Sequence, residues 1–255
     1  MQTRKDYTPI QRLFRAFTHI PSLEAIDCVW ERSLGKDYRS VFPHNYFSPL
    51  QKPAQSYPCP FDLQQGCVAE VIQQPDGKIF GICDFSPRRC DPFPLTETQL
   101  VVRKFNCKAF VNDIAKAMEL QGNIEAMPDY KQTWYLGYFD NGSIPVYVTL
   151  SNNPVSLETI IDGIAFSRSM NPFLLGIPFL NSLRLKATEK LLSIKAKSLA
   201  LSGILSLYNK RIQVNSTLLK SYQEAIFYDM ISHSRIPLGG QIGAIVGGGK
   251  WTVEE

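Results

Sequence analysis

Apolar residues at helical spacing predict two helices at the start of the chain. The first begins at Thr8-Pro9, where threonine is a favoured cap and proline a favoured first residue, and runs to about Thr18. Its buried stripe is Ile10, Leu13, Phe14 and Phe17. The second is predicted to begin at Pro21-Ser22 and to end at Gly35. The segment 41–60 that follows is rich in proline and aromatic residues, and we expect it to pack against the protein.

Alternating β-branched residues then predict a hairpin with strands over 67–73 and 78–83. The sequence Gln-Pro-Asp-Gly at 74–77 favours the turn between them. Pairing these strands brings Cys67 and Cys83 to the same open end, within about two residues of opposition.

The remaining two cysteines of this region extend that pattern. Cys59 and Cys90 lie on the proline-rich arms that enter and leave the hairpin. All four sulfurs are therefore expected to converge, which is the arrangement of a metal site. Two disulfides, or reduced thiols that only pack, remain alternatives.

The cysteine pattern resembles a zinc ribbon over roughly residues 57–94, with seven, fifteen and six residues between successive cysteines. The resemblance implies tetrahedral coordination of a structural Zn²⁺ by Cys59, Cys67, Cys83 and Cys90. It leaves Cys28 and Cys107 outside the ligand set. A site closed by four thiolates has no position for substrate and contributes folding energy to a segment with little core of its own.

Beyond residue 95 the periodicity predicts an α/β unit. A strand at 100–105, a helix at 108–121 before Gly122, a hairpin of 133–139 with 144–150, a helix from Val155 and a strand at 172–177 are expected. This βαββαβ order is that of a ferredoxin-like sheet with two helices on one face. Further elements are predicted at 181–195, 199–207 and 211–214, followed by a helix capped by Ser216, so the sheet is ferredoxin-like or extended.

These elements predict an α+β fold in three parts. The parts are a helical region with the cysteine hairpin (1–95), an α/β domain (96–235) and a glycine-rich tail (236–255). The tail does not match a phosphate-binding loop, because Ala244 stands where that motif needs glycine and Trp251 follows Lys250. A flexible terminus or a segment that docks on a partner is the preferred interpretation of the tail.

Composition places the chain among ordinary globular proteins, with 44% hydrophobic and 20% charged residues. The polar N-terminus lacks the apolar core of a signal peptide, and no window holds about 18 uninterrupted apolar residues. We therefore expect a cytoplasmic protein without a membrane segment.

The net charge is +4, yet basic residues are concentrated in one stretch. Seven of them stand against the single acid Glu189: Arg184, Lys186, Lys190, Lys195, Lys197, Lys210 and Arg211. With Arg88 and Arg89 beside Cys90, they form a candidate nucleic-acid surface, and half of a winged helix-turn-helix is one way to present it. The alternative is the solvated face of a helix.

Catalytic motifs are absent from the sequence. Cys107, at a predicted helix start, is a candidate nucleophile of lowered pKa, and carboxylates such as Glu119, Glu125, Asp129 or Asp162 are candidate acid–base groups. The leading hypothesis is a non-enzymatic, zinc-stabilised protein that binds nucleic acid, most favourably DNA, or has a regulatory role. A protein scaffold or assembly subunit, and an enzyme using Cys107 and scattered carboxylates, are the alternatives.

Overall fold

The fold is α+β, as predicted. A computed structural model describes residues 7–61, 67–83, 90–139, 144–167, 172–231, 245–246 and 249–250. Its helices are α1 (Pro9–His19), α2 (Asp27–Leu34), α3 (Tyr38–Val41), α4 (Cys107–Ala117), α5 (Pro154–Ser167), α6 (Leu185–Ser193), α7 (Leu201–Ile204) and α8 (Ser216–Ile231). None of the helices in the described part of the chain is both long and apolar enough to cross a membrane.

The strands form five sheets within the described residues. In chain order they are β1 (Glu24–Ile26), β2 (Phe47–Pro53), β3 (Ser56–Pro58), β4 (Val68–Gln73), β5 (Ile79–Cys83), β6 (Phe93–Leu95), β7 (Val101–Phe105), β8 (Glu125–Ala126), β9 (Thr133–Tyr138), β10 (Pro145–Thr149), β11 (Leu174–Ile177), β12 (Lys197–Ala200), β13 (Leu205–Tyr208), β14 (Arg211–Val214), β15 (Ile245–Val246) and β16 (Gly249–Lys250). The sheet orders are β1-β7-β2, β3-β4-β5-β6, β12-β11-β10-β9-β8, β13-β14 and β15-β16.

The central sheet carries β8 to β12 in chain order, with β10, β11 and β12 parallel. Because side chains alternate along a strand, its two faces bury different cores. Val146 and Val148 face the core that includes α1, α4 and the β13–β14 hairpin. Tyr147, between them, packs in a second core with α5 and α6. The sheet therefore separates two helical layers.

The first of these cores is rich in aromatic residues. Phe105 at the end of β7 stacks edge-on against Phe47 and Phe110, with ring centroids 5.5 Å apart in each pair. Tyr46 is fully buried and donates a hydrogen bond from its hydroxyl to Asp113 Oδ2 at 2.9 Å. The aromatic segment predicted to pack at 41–60 therefore does so, at least through its first half.

The start of the chain confirms one predicted helix and corrects the other. Thr8 and Gln11 form a reciprocal cap for α1. The second helix does not start at Pro21-Ser22, because Ser22 and Leu23 have φ of 54° and 56°, outside the helical region. After this turn Ile26 pairs with Val102 in a sheet, and the helix begins at Asp27. It ends at Gly35, as predicted, with φ of 110°.

The predicted order of elements along the chain is present, with β8 in addition, but the ferredoxin-like sheet is wrong. Strand β7, which that order placed first in the α/β sheet, instead lies between β1 and β2. The central sheet is the extended alternative of the prediction. Its strands β8, β9 and β10 are antiparallel neighbours, and helices α5 and α6 connect the parallel strands β10, β11 and β12. Because β7 lies beyond residue 95, main-chain pairing crosses the predicted boundary between the first two parts.

Other element boundaries also differ from the prediction, and helix α6, for example, begins at Leu185 rather than at 181. Helix α4 ends at Ala117 rather than at Gln121, since Glu119 has a positive φ of 56° and Gln121 pairs with Tyr138 in a β-bridge. The apolar run 199–207 is not one strand. It divides into the end of β12, the single turn of α7, in which Leu201 and Ile204 are buried, and β13.

Candidate metal centre

The β4–β5 hairpin holds two of the four candidate ligands, in the predicted register. Ala69 lies opposite Cys83, so Cys67 is two residues from opposition. The turn is closed by the Gly77 N–H, which donates to the Gln74 carbonyl at 2.9 Å. Gly77 has φ of 85°, a conformation that favours glycine.

The neighbouring strands bring in the other two cysteines. Cys59 follows β3, and its N–H donates to the Cys67 carbonyl at 3.0 Å, so the β3–β4 pairing extends to these two residues. Cys90 precedes β6, which pairs with β5. We call strands β3 to β6 with Cys59 and Cys90 the cysteine module.

The distances between the sulfur atoms fit a metal site. The Sγ–Sγ distance is 3.5 Å for Cys59 and Cys90, 3.6 Å for Cys67 and Cys83, and 3.3 Å for Cys59 and Cys83. A tetrahedral zinc ion with Zn–S bonds of about 2.3 Å needs sulfurs about 3.8 Å apart. A disulfide bond is about 2.05 Å long, and none of the six cysteines, all among the described residues, is in one. The cluster of Cys59, Cys67 and Cys83 can therefore hold a metal ion.

Burial and mutual contact disfavour ionised thiols in this cluster. Cys59, Cys67 and Cys83 are 2%, 6% and 3% exposed. Burial, followed by hydrogen bonds with the three other cysteines, raises the pKa of the Cys83 thiol. The pKa of Cys90 is raised mainly by its hydrogen bond with Cys59. A bound cation would reverse this preference, because a coordinating thiol loses its proton.

A small apolar core surrounds the sulfurs. Beside the three buried cysteines it contains Ala69, Phe93, Leu95 and Leu100. Phe93 lies opposite Gly81 in the β5–β6 pair, and its ring occupies the space that a side chain at position 81 would take. Four short strands with so few buried side chains form a weak core, which is the situation in which a structural metal contributes most.

One polar contact ties the cysteine module to the helical region. The Tyr57 side chain lies beside the Cys28 thiol of α2 and beside Gln99. Burial of the tyrosine hydroxyl, together with the Cys28 contact, raises the pKa of Tyr57 to about 12. Nothing in the sequence spacing of these residues indicated the contact. Cys28 thus has a structural role outside the cluster.

The predicted basic strip is distributed over opposite sides of the central sheet. Arg184, at the cap of α6, lies 3.9 Å from Glu158, and Lys190 Nζ lies 3.4 Å from Asp162, so acids on α5 partly neutralise this face. Lys186 is exposed on the same helix, Lys195 follows it, and Lys197 lies in β12. Arg88 and Arg89 are outside the described residues.

The last two basic residues belong to the β13–β14 hairpin, which packs on the first core. Lys210 is in its turn, with Nζ 3.2 Å from His44 Nε2. Arg211 is exposed beside Tyr208, whose side chain is 63% exposed. A basic and aromatic tip is therefore present, but it is separated by the sheet from the basic residues of α6.

The pKa of the candidate nucleophile, Cys107, is raised, whereas the sequence predicted a lowered pKa. Burial raises the pKa of the Cys107 thiol to about 11, although the residue begins α4 beside the capping Asn106. Among the candidate carboxylates, Glu119, Glu125 and Asp129 are exposed, and Asp162 is paired with Lys190. Within the described residues, the cysteine cluster is the group whose donor atoms converge.

Comparisons with known proteins assign neither a family nor a function to this chain. No family model, curated protein sequence or solved structure matches this chain. The interpretation of the site therefore rests on its own geometry.

Proposed function

We propose that this chain is a non-enzymatic binding protein whose cysteine module is stabilised by one structural Zn²⁺. The observation that carries the proposal is the cluster of three buried sulfurs, those of Cys59, Cys67 and Cys83, with the Sγ of Cys90 3.5 Å from that of Cys59. Cys90 itself lies outside the group of mutually close sulfurs. Thiolate ligands favour zinc, cuprous and iron–sulfur sites over hard cations, and a single tetrahedral position suits zinc.

The donor set favours a structural rather than a catalytic ion. Four thiolates complete the tetrahedral coordination of zinc and leave no position for water or substrate. The ion would instead join the two ends of the β4–β5 hairpin to the arms at Cys59 and Cys90. Its effect would be to hold β3 and β6 against the hairpin and so to shape the surfaces that these strands line.

Metal analysis of the purified full-length chain tests the proposal. We expect one zinc per chain, and tetrahedral thiolate absorption bands after replacement by Co²⁺. Cys59→Ser and Cys83→Ser should each lose the metal, whereas Cys107→Ala, which removes a thiol outside the cluster, should retain it. A wild-type chain that binds neither ion, and whose stability is the same with and without a chelator, would contradict the proposal.

Nucleic-acid binding is the second candidate, and the β13–β14 tip favours it. An exposed tyrosine beside Arg211 offers base stacking next to phosphate contact. Arg211→Glu should then weaken binding to DNA or RNA, while Lys186→Glu on the acid-neutralised side should not. If a salt titration finds no affinity even at low ionic strength, this candidate is excluded.

A further inference from the structure

The four sulfurs of the cysteine module are not equivalent. Those of Cys59, Cys67 and Cys83 lie within 4.8 Å of one another, and the three residues are buried. Cys90 is only partly buried and lies outside that group, although its Sγ is 3.5 Å from that of Cys59. Cys90 is therefore the candidate ligand that a dissolved reagent meets first.

The local structure explains this difference. The N–H of Cys59 donates to the Cys67 carbonyl, and Cys83 is the last residue of β5, so strand pairing holds these three residues. Cys90 instead lies before the start of β6, and the two residues between them, 91 and 92, are exposed. The polypeptide around Cys90 is thus accessible to solvent on one side and in contact with the cluster on the other.

The contact between Cys59 and Cys90 suits the formation of a disulfide. A disulfide bond is about 2.05 Å long, so the two sulfurs need to approach by roughly 1.5 Å. Cys90 also contacts Cys83. Pairing Cys90 with Cys59, however, leaves Cys67 and Cys83 together at 3.6 Å on the hairpin that already holds them.

We propose that Cys90 is a site of oxidation by peroxide, and that the disulfide it then forms with Cys59 releases the structural ion. The inference rests on the proposed function, because it concerns the regulation of that same site.

The reaction needs one peroxide for each disulfide. Coordination keeps the sulfurs deprotonated, and the thiolate is the form that attacks peroxide. When the Cys90 sulfur attacks one peroxide oxygen, the O–O bond breaks, the other oxygen takes up a proton and leaves as water, and Cys90 becomes a sulfenic acid. The Cys59 thiolate then attacks that sulfur, the S–O bond breaks, and the oxygen leaves with a second proton as a second water. The two sulfurs together lose two electrons, which reduce one peroxide to two waters.

The disulfide would change the module from a metal-bound to a metal-free state. Only two thiolates remain, and these do not complete the tetrahedral coordination of zinc. Without the ion, β3 and β6 lose their link to the β4–β5 hairpin, although the disulfide still joins their arms to each other. Reduction of the disulfide would restore the site. The module is thus a redox-sensitive switch for the surfaces that these strands line.

Treatment of the zinc-loaded, full-length chain with one equivalent of hydrogen peroxide tests the inference. A chromogenic chelator measures the zinc released, against the same chain without peroxide, and non-reducing peptide mass spectrometry locates the disulfide. We expect the loss of one zinc per chain and a fall in free thiols from six to four, with Cys59 linked to Cys90. Dithiothreitol with added Zn²⁺ should restore both values.

Two variants test the role of Cys90. Cys90→Ser keeps the three buried thiols, and peroxide should release zinc from it roughly tenfold more slowly, because oxidation of a thiolate follows its exposure. Cys107→Ala removes another partly buried thiol, outside the cluster, and should behave as wild type. If the three thiols of Cys90→Ser do not retain zinc, the position of the disulfide in the wild-type chain decides the inference by itself.

Each other outcome overturns the inference. These are zinc release without a disulfide, a first disulfide between another pair such as Cys83 and Cys90, and equal rates of release from zinc-loaded Cys90→Ser and wild type. A chain that contains zinc and retains it in peroxide contradicts this inference and leaves the proposed function intact. Zinc content is measured before peroxide is added, so a chain without zinc is recognised as a failure of the proposed function.

Discussion

At the scale of single residues, the absence of one Cβ atom permits the packing of the cysteine module. A Cβ on Gly81 would lie 2.4 Å from Cζ of Phe93, so the ring can cover the β5–β6 pair only because position 81 has no side chain. The same ring is in contact with Tyr57 and Phe61. Phe93 thus links the module's core to the residues around Cys59.

Gly81→Ala should therefore destabilise the metal-loaded protein. We expect a loss of about 1–3 kcal/mol in the free energy of unfolding, because the Phe93 ring must leave its place in the core. Urea denaturation measures the change. Gly203→Ala, in the single turn of α7, is the control, since the nearest neighbour of its Cβ would be 3.8 Å away, and it should be neutral or slightly stabilising. Equal stabilities of the two variants would show that Phe93 can move without cost.

The partly buried thiol of Cys107 predicts a dependence of stability on alkaline pH. Its pKa is raised from 9.0 to about 11, so the unfolded chain loses this proton at a lower pH than the folded one. The stability contribution is therefore complete below about pH 9 and is lost as the pH rises to about 11, by on the order of 2 kcal/mol. Denaturation of wild type and Cys107→Ala over this range isolates the effect, and parallel pH profiles would contradict it.

Some site residues could be predicted from sequence and others could not. The proximity of Cys67 and Cys83 could be predicted from the alternating residues on both sides of the Gln74–Lys78 turn, because strand pairing in a hairpin is determined locally. Their contact with Cys59 depends on β3, the strand before β4, which the sequence predicts only as part of a proline-rich arm. The contact of Tyr57 with Cys28 depends instead on how the module docks on α2. No local sequence pattern predicts that arrangement.

At the scale of elements, the β13–β14 hairpin has a strained turn. Its two turn residues, Asn209 and Lys210, have φ of 48° and 60°, as in a type I′ turn. Asparagine tolerates this conformation, but lysine does so at a cost.

Lys210→Gly should stabilise the protein by about 0.5–1 kcal/mol, since glycine adopts a positive φ without strain. Chemical denaturation measures the gain. The control is Lys220→Gly on the exposed side of α8, which should lower stability by a similar amount because glycine disfavours a helix interior. A loss of stability in Lys210→Gly would indicate that the contact with His44 outweighs the backbone strain.

The errors in element prediction share a physical cause. The apolar residues Ile26, Val29 and Trp30 suit a helix, but Ile26 pairs with Val102 in a sheet. Arg103, next to Val102, also forms an ion pair with Asp27 of α2 over a separation of 76 residues. Such long-range pairing overrides local periodicity, and it also removed β7 from the predicted ferredoxin-like sheet. The helices whose apolar stripes face a single core, such as α1 and α5, were predicted well.

At the scale of the whole molecule, the cysteine module and the central sheet differ in what stabilises them. The sheet has a large core on each face, whereas the module has a small core around the sulfurs. Removing a metal ion should therefore affect the two regions unequally.

Hydrogen exchange with and without a chelator should show this difference. We expect faster exchange in β3 to β6 after chelation, with protection in β10 and β11 retained, because no ligand of the ion lies in the central sheet. Cys59→Ser without chelator should reproduce the pattern, and Cys107→Ala should not. Uniform loss of protection would indicate that the ion stabilises the whole fold.

The position of the four cysteines along the chain also affects the order of events during synthesis. All of them have emerged from the ribosome once residue 90 has been exposed, before any strand of the central sheet has emerged. Helix α1, by contrast, packs against residues that are translated much later, since the Asn152 side chain donates to the Phe14 carbonyl across 138 residues. We therefore expect the nascent chain to complete its thiol cluster first and to enclose its N-terminal helix much later.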